Sequence, residues 1–328
     1  MVFINMSISA NGLKASNYEN NKCHSTKPED GPQPKKDGAN DCGSWSKMRN
    51  TFYGRGSKVR WILACVALPL LFSQWAAASP PPGYNLVFDE EFNGPLQVAS
   101  GKGWGPMVAP LKWIAHTPYG GDFGNAYFTG PSENATTPDP FSVSNGVLTI
   151  QAYQDPAINN HWRSGLLASV DPSGNGFSLR LGYWECRMNL PSGAGVWPAF
   201  WLDGVAGLNK KRTTNSPEID ILEAFGFDMT VAHHYVHVWT PGGKDVCGAG
   251  SASIGVNLAN SWHTYGCLVN TDYIHFYLDG VEVSETPTPI EATQPLYVMV
   301  NLALGDGFPI DIPSPTRMYV DYIRVYAH

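Results

Sequence analysis

Lysine and arginine are scarce beyond residue 60. The first 60 residues hold 10 of them against 5 Asp/Glu, which leaves 11 against 23 for the remainder and a net charge of −12 there. A surface so poor in clustered positive charge repels phosphate and sulfate, so nucleic acid and other polyanions are poor ligands and neutral ones fit better. Cysteine is sparse as well: of six, Cys23 and Cys42 fall in a polar N-terminal segment and Cys65 in an apolar run, leaving Cys186, Cys247 and Cys267 for the rest of the chain. Three is an odd number. An oxidising compartment permits one bridge with one thiol left over, the spacing does not say which pair forms it, and no Cys-x-x-Cys or Cys/His spacing suggests zinc. Long helices are missing from the pattern too. Outside one N-terminal stretch no segment keeps an apolar 3.6-residue period over several turns, and 34 glycines and 26 prolines interrupt the chain throughout.

What is present divides the chain. Residues 1–60 are polar, without apolar periodicity, and are expected to be disordered; a start at Met48 would shorten this segment to a basic leader. Residues 61–78 form the one notable apolar run, preceded by Arg55, Lys58 and Arg60 and ending in Ala76-Ala77-Ala78. Its core, residues 61–72, has the length of a signal-peptide h-region and falls short of the roughly 20 residues a spanning helix prefers; an uncleaved membrane anchor is the alternative. Secretion is therefore expected. A Pro-rich linker at 79–83 then leads into a single domain, 84–328, which 43% apolar residues in the whole chain equip with enough side chains for a full core.

Within that domain short alternating segments follow one another between turn residues. Strands are expected at 147–153 after Asn145-Gly146, at 183–190, at 275–278 turning through Asp279-Gly280 into 281–283, and at 318–326. So many short strands must close or stack, and the fold class expected is all-β: a two-sheet β-sandwich of jelly-roll, concanavalin-like type with an open cleft.

Residues 216–225 carry the chemistry: Ser216-Pro217-Glu218-Ile219-Asp220-Ile221-Leu222-Glu223-Ala224-Phe225. Side chains in a strand switch faces at each residue, so Glu218 and Asp220 share one face and Ile219 points into the core. Strict alternation would bury Glu223. The successive aliphatics Ile221 and Leu222 point instead to a β-bulge, whose extra residue returns Glu223 to the acidic face. The two glutamates then stand about four strand steps apart, roughly 13 Å along the backbone, and their side chains can lean to the roughly 5–5.5 Å that retaining glycosidases need. Three like charges on one wall keep one carboxyl protonated near neutral pH, as a general acid requires. A solvated acidic face is the plainer account of a lone Glu-x-Asp, and the neighbouring segments count against it. Upstream, Trp197, Ala199 and Trp201 fall on one strand face; paired indoles beside paired carboxyls suit the apolar C–H faces and hydroxyls of a sugar. Downstream, His233, Tyr235, His237 and Trp239 share one face, while His234 points the other way, which argues against a three-histidine metal site.

Glu218 to Glu223 resembles the Glu-x-Asp-x-x-Glu signature of glycoside hydrolase family 16, in its bulge-containing, laminarinase-like branch. Similar family patterns occur in order at Val87-Phe88-Asp89-Glu90-Glu91-Phe92-Asn93-Gly94, Gly182-Tyr183-Trp184-Glu185-Cys186-Arg187, Trp197-Pro198-Ala199-Phe200-Trp201, Trp262-His263-Thr264-Tyr265-Gly266 and Val320-Asp321-Tyr322-Ile323-Arg324-Val325-Tyr326. The resemblance implies a curved jelly roll acting on β-linked glycans, with Glu218 as nucleophile, Glu223 as acid/base and Asp220 hydrogen-bonded to the nucleophile. It implies subsite roles for Trp113, Arg187, Trp197, Trp201, His237 and Asn301, and a structural calcium whose side-chain ligands would be Glu91 and Asp321. No cofactor is needed for catalysis. Where laminarinase relatives often carry a Trp-Pro segment, residues 207–215 here include Lys210, Lys211 and Arg212, which would meet a substituted or acidic polysaccharide if they are more than a solvated loop. The function expected is a secreted, monomeric, endo-acting retaining hydrolase of β-1,3- or mixed β-1,3/1,4-glucan. A non-catalytic glycan-binding jelly roll and a transglycosylase using the same carboxyls are the alternatives.

Overall fold

The computed structural model describes residues 80–99, 104–133, 138–208 and 213–328. The polar segment 1–60, the apolar run 61–78 and the basic residues Lys210, Lys211 and Arg212 lie outside them. Among the described residues sixteen strands follow one another: β1 Asn85–Glu90, β2 Ala126–Phe128, β3 Phe141–Ser144, β4 Val147–Asp155, β5 His161–Ser164, β6 Leu166–Ala168, β7 Gly182–Asn189, β8 Val196–Gly204, β9 Ser216–Glu223, β10 Val231–Trp239, β11 Ala249–Ile254, β12 Trp262–Val269, β13 Tyr273–Leu278, β14 Val281–Pro287, β15 Leu296–Leu304 and β16 Thr316–Ala327. The expected strands are all present, each extended by one to four residues at one or both ends except where 183–190 shifts by one.

They form a two-sheet jelly-roll sandwich. One sheet runs β14-β13-β12-β7-β16-β4-β5-β2, with β1 on β16 and β3 on β4; the other runs β11-β10-β9-β8-β15-β6. Period-two patterning decides which residues meet between them. Along β10, Ala232, His234, Val236 and Val238 are buried while the residues between them are half-buried, and Ile219 and Leu222 from β9 join them in a core that also takes Trp184, Met188 and Ile323 from the larger sheet. Cys186 and Cys267 are buried free thiols, so they are not bridged to each other. The β15 strand is buried on both faces, because a second apolar cluster containing Tyr297, Met299, Trp201 and Ile114 covers its other side.

Trp113 belongs to this architecture and not to a glycan subsite. It is fully buried, packs edge-on against Phe88 at 5.7 Å, and donates its indole N–H to Glu90 Oε2 at 3.2 Å. A Trp in the sequence shows its size but not which sheet covers it, and here it closes the core beside β1. Replacing it as Trp113→Phe keeps most of the apolar volume but strips a donor from a buried carboxylate, so stability should fall by about 1–3 kcal/mol. Urea denaturation would show this, with KM for any glycan unchanged; a raised KM at native stability would return Trp113 to the cleft.

Candidate active site

The position of the carboxyls follows from one irregularity in β9. On β8, Leu222 pairs with Phe200 but Asp220 pairs with the next residue, Trp201, so Ile221 is left over. On β10, Glu223 faces His233 and Asp220 faces Tyr235, which sets Ile221 and Leu222 opposite the single residue His234. Both aliphatics are buried, and the phase reset brings Glu223 round to the side of Glu218 and Asp220. His234 fastens the irregularity from behind: its Nδ1–H donates to the Ile221 carbonyl at 2.7 Å, and its ring stacks on Phe276 at 5.0 Å. Burial lowers the imidazole's proton affinity, so it stays neutral at pH 7.

Over this face lies a cavity of about 570 Å³ lined by Glu218, Asp220, Glu223, Trp197, Ala199, Trp201, His237 and Asn301, and by residues 119–123. The β8 strand contributes its alternate residues Trp197, Ala199 and Trp201. The indole N–H of Trp197 donates to Glu223 Oε1 at 2.7 Å, and that of Trp201 to Asn301 Oδ1 at 2.8 Å. Phe123 stands edge-on to both indoles, at 5.4 and 5.9 Å. The far wall is β10. There His237 sits between two aspartates, with Nδ1 2.8 Å from Asp245 Oδ2 and Nε2 3.5 Å from Asp220 Oδ2. Asp245 is itself held, its Oδ1 accepting from the backbone N–H groups of Val238 and Cys247 at 3.1 and 3.0 Å.

The electrostatics follow from this crowding. Burial and the charge of Asp220 raise the proton affinity of both glutamates, Glu218 well above the usual carboxyl range and Glu223 to about 8; the Trp197 hydrogen bond opposes the shift at Glu223, and His237 and a Trp239 hydrogen bond oppose it at Glu218. Burial works against charge on His237, but its hydrogen bonds to Asp220 and Asp245 prevail and raise its pKa to about 11. The imidazole is therefore a cation at neutral pH and offsets part of the acidic charge. Glu218, Asp220 and His237 bring ligand atoms within 4.8 Å of one another, as do His275, Glu282 and Glu285 on the other sheet. A protonated imidazole has no lone pair for a metal, so in the charge state that Asp220 and Asp245 favour the first group shares protons.

Trp197, Trp201, His237 and Asn301 are thus brought together with the three carboxyls, and two anticipated subsite residues are not. Trp113 is in the core, as described. Arg187 lies on β7 of the opposite sheet, paired with Asp321 at 2.6 Å and stacked over Trp262 at 4.9 Å. The two carboxylates expected to hold calcium do not fit that ion, because arginines already engage them: Arg324 binds both oxygens of Glu91 at 2.6 and 2.9 Å, and Arg187 binds Asp321. Trp239, expected on the face of His237, hydrogen-bonds Glu218, and Asp245 and the Tyr119-Gly120-Gly121-Asp122-Phe123 turn complete the site without having been singled out. The paired glycines between two aromatics were the available signal for that turn.

A two-sheet jelly roll carrying Glu, Asp and Glu on one face of a bulged strand, beside paired indoles, has the architecture of a carbohydrate-active domain. The model of the family described as Glycosyl hydrolases family 16 matches residues 132–324, and the chain belongs to that family. Among its relatives are an endo-1,3-1,4-beta-glycanase, ExsH, of Rhizobium meliloti (strain 1021), 32% identical over 74% of this chain and 51% of its own, and glucan endo-1,3-beta-glucosidase A1 of Niallia circulans, 29% identical over 74% and 38%. The chain thus spans about half the length of the first and less of the second. Of solved structures, SCLam, a non-specific endo-beta-1,3(4)-glucanase from family GH16, matches with a TM-score of 0.59 at 26% identity over 76% of this chain and 93% of its own. The laminarinase catalytic domain of Thermotoga maritima MSB8 matches with a TM-score of 0.56 at 25% identity over 75% and 98%.

The raised pKa of Glu223 has a thermodynamic signature. A carboxyl that titrates near 8 when folded, against an ordinary 4.5, contributes stability below the unfolded value that is lost as pH rises through the folded one. Thermal melts of the wild type and Glu223→Gln should diverge across that window, with the wild type losing stability relative to the amide as pH rises from 4.5 to 8. Parallel melting curves over the same range would mean that Glu223 titrates normally.

Proposed function

We propose that this chain is an endo-acting retaining glycoside hydrolase of β-1,3- or mixed β-1,3/1,4-glucan. The observation that carries the reading is the placement of Glu218, Asp220 and Glu223 along one strand face in a cavity floored by Trp197 and Trp201. The relatives named above as glucan endo-hydrolases support the substrate class. The apolar run at 61–78 supports secretion.

The chemistry is double displacement. Glu218 attacks the anomeric carbon as its carboxylate, the form that burial and Asp220 disfavour and that the His237 cation and the Trp239 N–H favour, and forms a glycosyl ester. The bond to the leaving oxygen breaks as Glu223 donates its proton there, so the departing chain leaves as a neutral alcohol. Glu223, now a carboxylate, takes a proton from water as that water attacks the same carbon, and the ester bond breaks to return Glu218. Two inversions give net retention. A sugar hydroxyl in place of water would give transglycosylation with identical protein roles.

Reducing-sugar release from laminarin and lichenan tests this directly. Glu218→Gln should abolish release, and Glu223→Gln should lower it by about 10²–10⁴-fold while sparing aryl glycosides whose leaving groups need no proton. NMR of the first-formed product should show the β-anomer. An α-product would sink double displacement, and glycan binding without release by the wild type would leave a binding protein.

A further inference from the structure

Beyond Glu223 the chain leaves β9 through Ala224 and Phe225 and turns at Gly226 and Phe227, where Asp228 N–H donates to Phe225 O at 2.9 Å. Ala224 and Gly226 are buried, Phe225 is half-buried and Phe227 is 57% exposed, and the turn sets the two phenylalanine rings side by side next to Trp197. The backbone is pinned beside the start of β8: Ala224 N–H donates to Pro198 O at 3.1 Å, Gly226 N–H to Val196 O at 2.8 Å, and Gly193 N–H to Gly226 O at 3.1 Å. A side chain at 226 would collide with the Gly193 carbonyl, so only glycine lets the segment lie this close. The rings advance in steps. Trp197 to Phe225 is 6.4 Å at 24°, Phe225 to Phe227 is 6.0 Å at 19°, and Phe308 closes on Phe227 at 4.5 Å.

Core packing does not account for these three phenylalanines, because none belongs to either hydrophobic cluster of the fold. With Phe227 exposed and Phe225 and Phe308 half-buried beside it, the group offers apolar surface of the kind that marks a contact site. Its chemistry narrows the occupant. It is continuous with Trp197, which lines the cavity and holds Glu223, and the exposed carboxylates of Asp228 and Asp306 follow Phe227 and precede Phe308 by one and two residues respectively. Flat apolar rings rimmed by carboxylates suit a sugar that offers C–H faces to the rings and hydroxyl donors to the rim, and they disfavour sulfated or uronic-acid units.

We propose that Phe225, Phe227 and Phe308 form a stacking platform for a neutral pyranose unit of the glycan, outside the cavity and next to Glu223. The assignment rests on the glycan-hydrolase reading. The platform grips the polymer away from the scissile bond, so its binding energy is available only to chains long enough to reach it.

The test is the dependence of kcat/KM on length for neutral β-glucan oligosaccharides, measured on wild type, Phe227→Ala, Phe308→Ala and Phe227→Trp. Wild-type kcat/KM should rise with length, and either alanine variant should flatten that rise by about tenfold, the change lying in KM; Phe227→Trp should restore it. Calorimetry on Glu218→Gln with and without Phe227→Ala should show the same length-selective loss in affinity. Length series that stay parallel in the wild type and the alanine variants, or losses equal at every length, would overturn the platform while leaving the hydrolase intact. A wild type that neither cleaves nor binds any glucan of the series would overturn the hydrolase reading itself, and the platform with it.

Discussion

The site depends on a single surplus residue. Glu218 and Glu223 are separated by an odd number of positions, and a regular strand would send one of them into the core. The β-bulge at Ile221 and Leu222 absorbs that mismatch, and both aliphatics still find cover. A bulge leaves backbone groups out of the ladder; here the carbonyl of Ile221 is supplied with a donor by neutral His234, whose ring is held by Phe276 from the opposite sheet. The sandwich core therefore fixes the geometry of the three carboxyls from beneath, and the cavity side is left free to hold charge.

That charge is managed by pairing and not by dispersal. Asp220 stands between the two glutamates and raises the proton affinity of each, which suits Glu223 as a donor and works against ionising Glu218. His237, kept a cation at neutral pH by Asp220 in front and Asp245 behind, returns some stabilisation to an ionised Glu218. Asp245 lies in the turn after β10, where backbone N–H groups of Val238 in that strand and Cys247 beyond it hold its Oδ1. A loop residue with no motif of its own thus sets the charge on the wall of the site, an ordinary way for second-layer groups to act on a first-layer acid.

Period two made much of this legible from the chain. The β10 alternation, the two indoles on one face of β8 and the need for a bulge in β9 are all one-dimensional patterns, and each has its counterpart in space. What periodicity leaves open is which of two sheets lies against a given face. Trp113 and Arg187 sit in strands or bridges whose patterns are no different from those of cleft residues, yet they pack against β1 and β16. Glu91 and Asp321 were likewise visible as acids, whereas the arginines that neutralise them approach from 233 and 134 residues away. The 119–123 turn reaches the cavity through long-range packing that no local signal encodes.

The bond between the Trp197 indole and Glu223 ties recognition to protons. A sugar ring seated against Trp197 removes water from the carboxyl beside it, and a carboxyl with less water holds its proton more tightly. By linkage the protonated enzyme is then the tighter binder by the same factor. Binding would draw a proton from solution whenever Glu223 starts ionised, so its measured heat would vary with the ionisation enthalpy of the buffer, and docking the glycan and charging the general acid would be a single equilibrium.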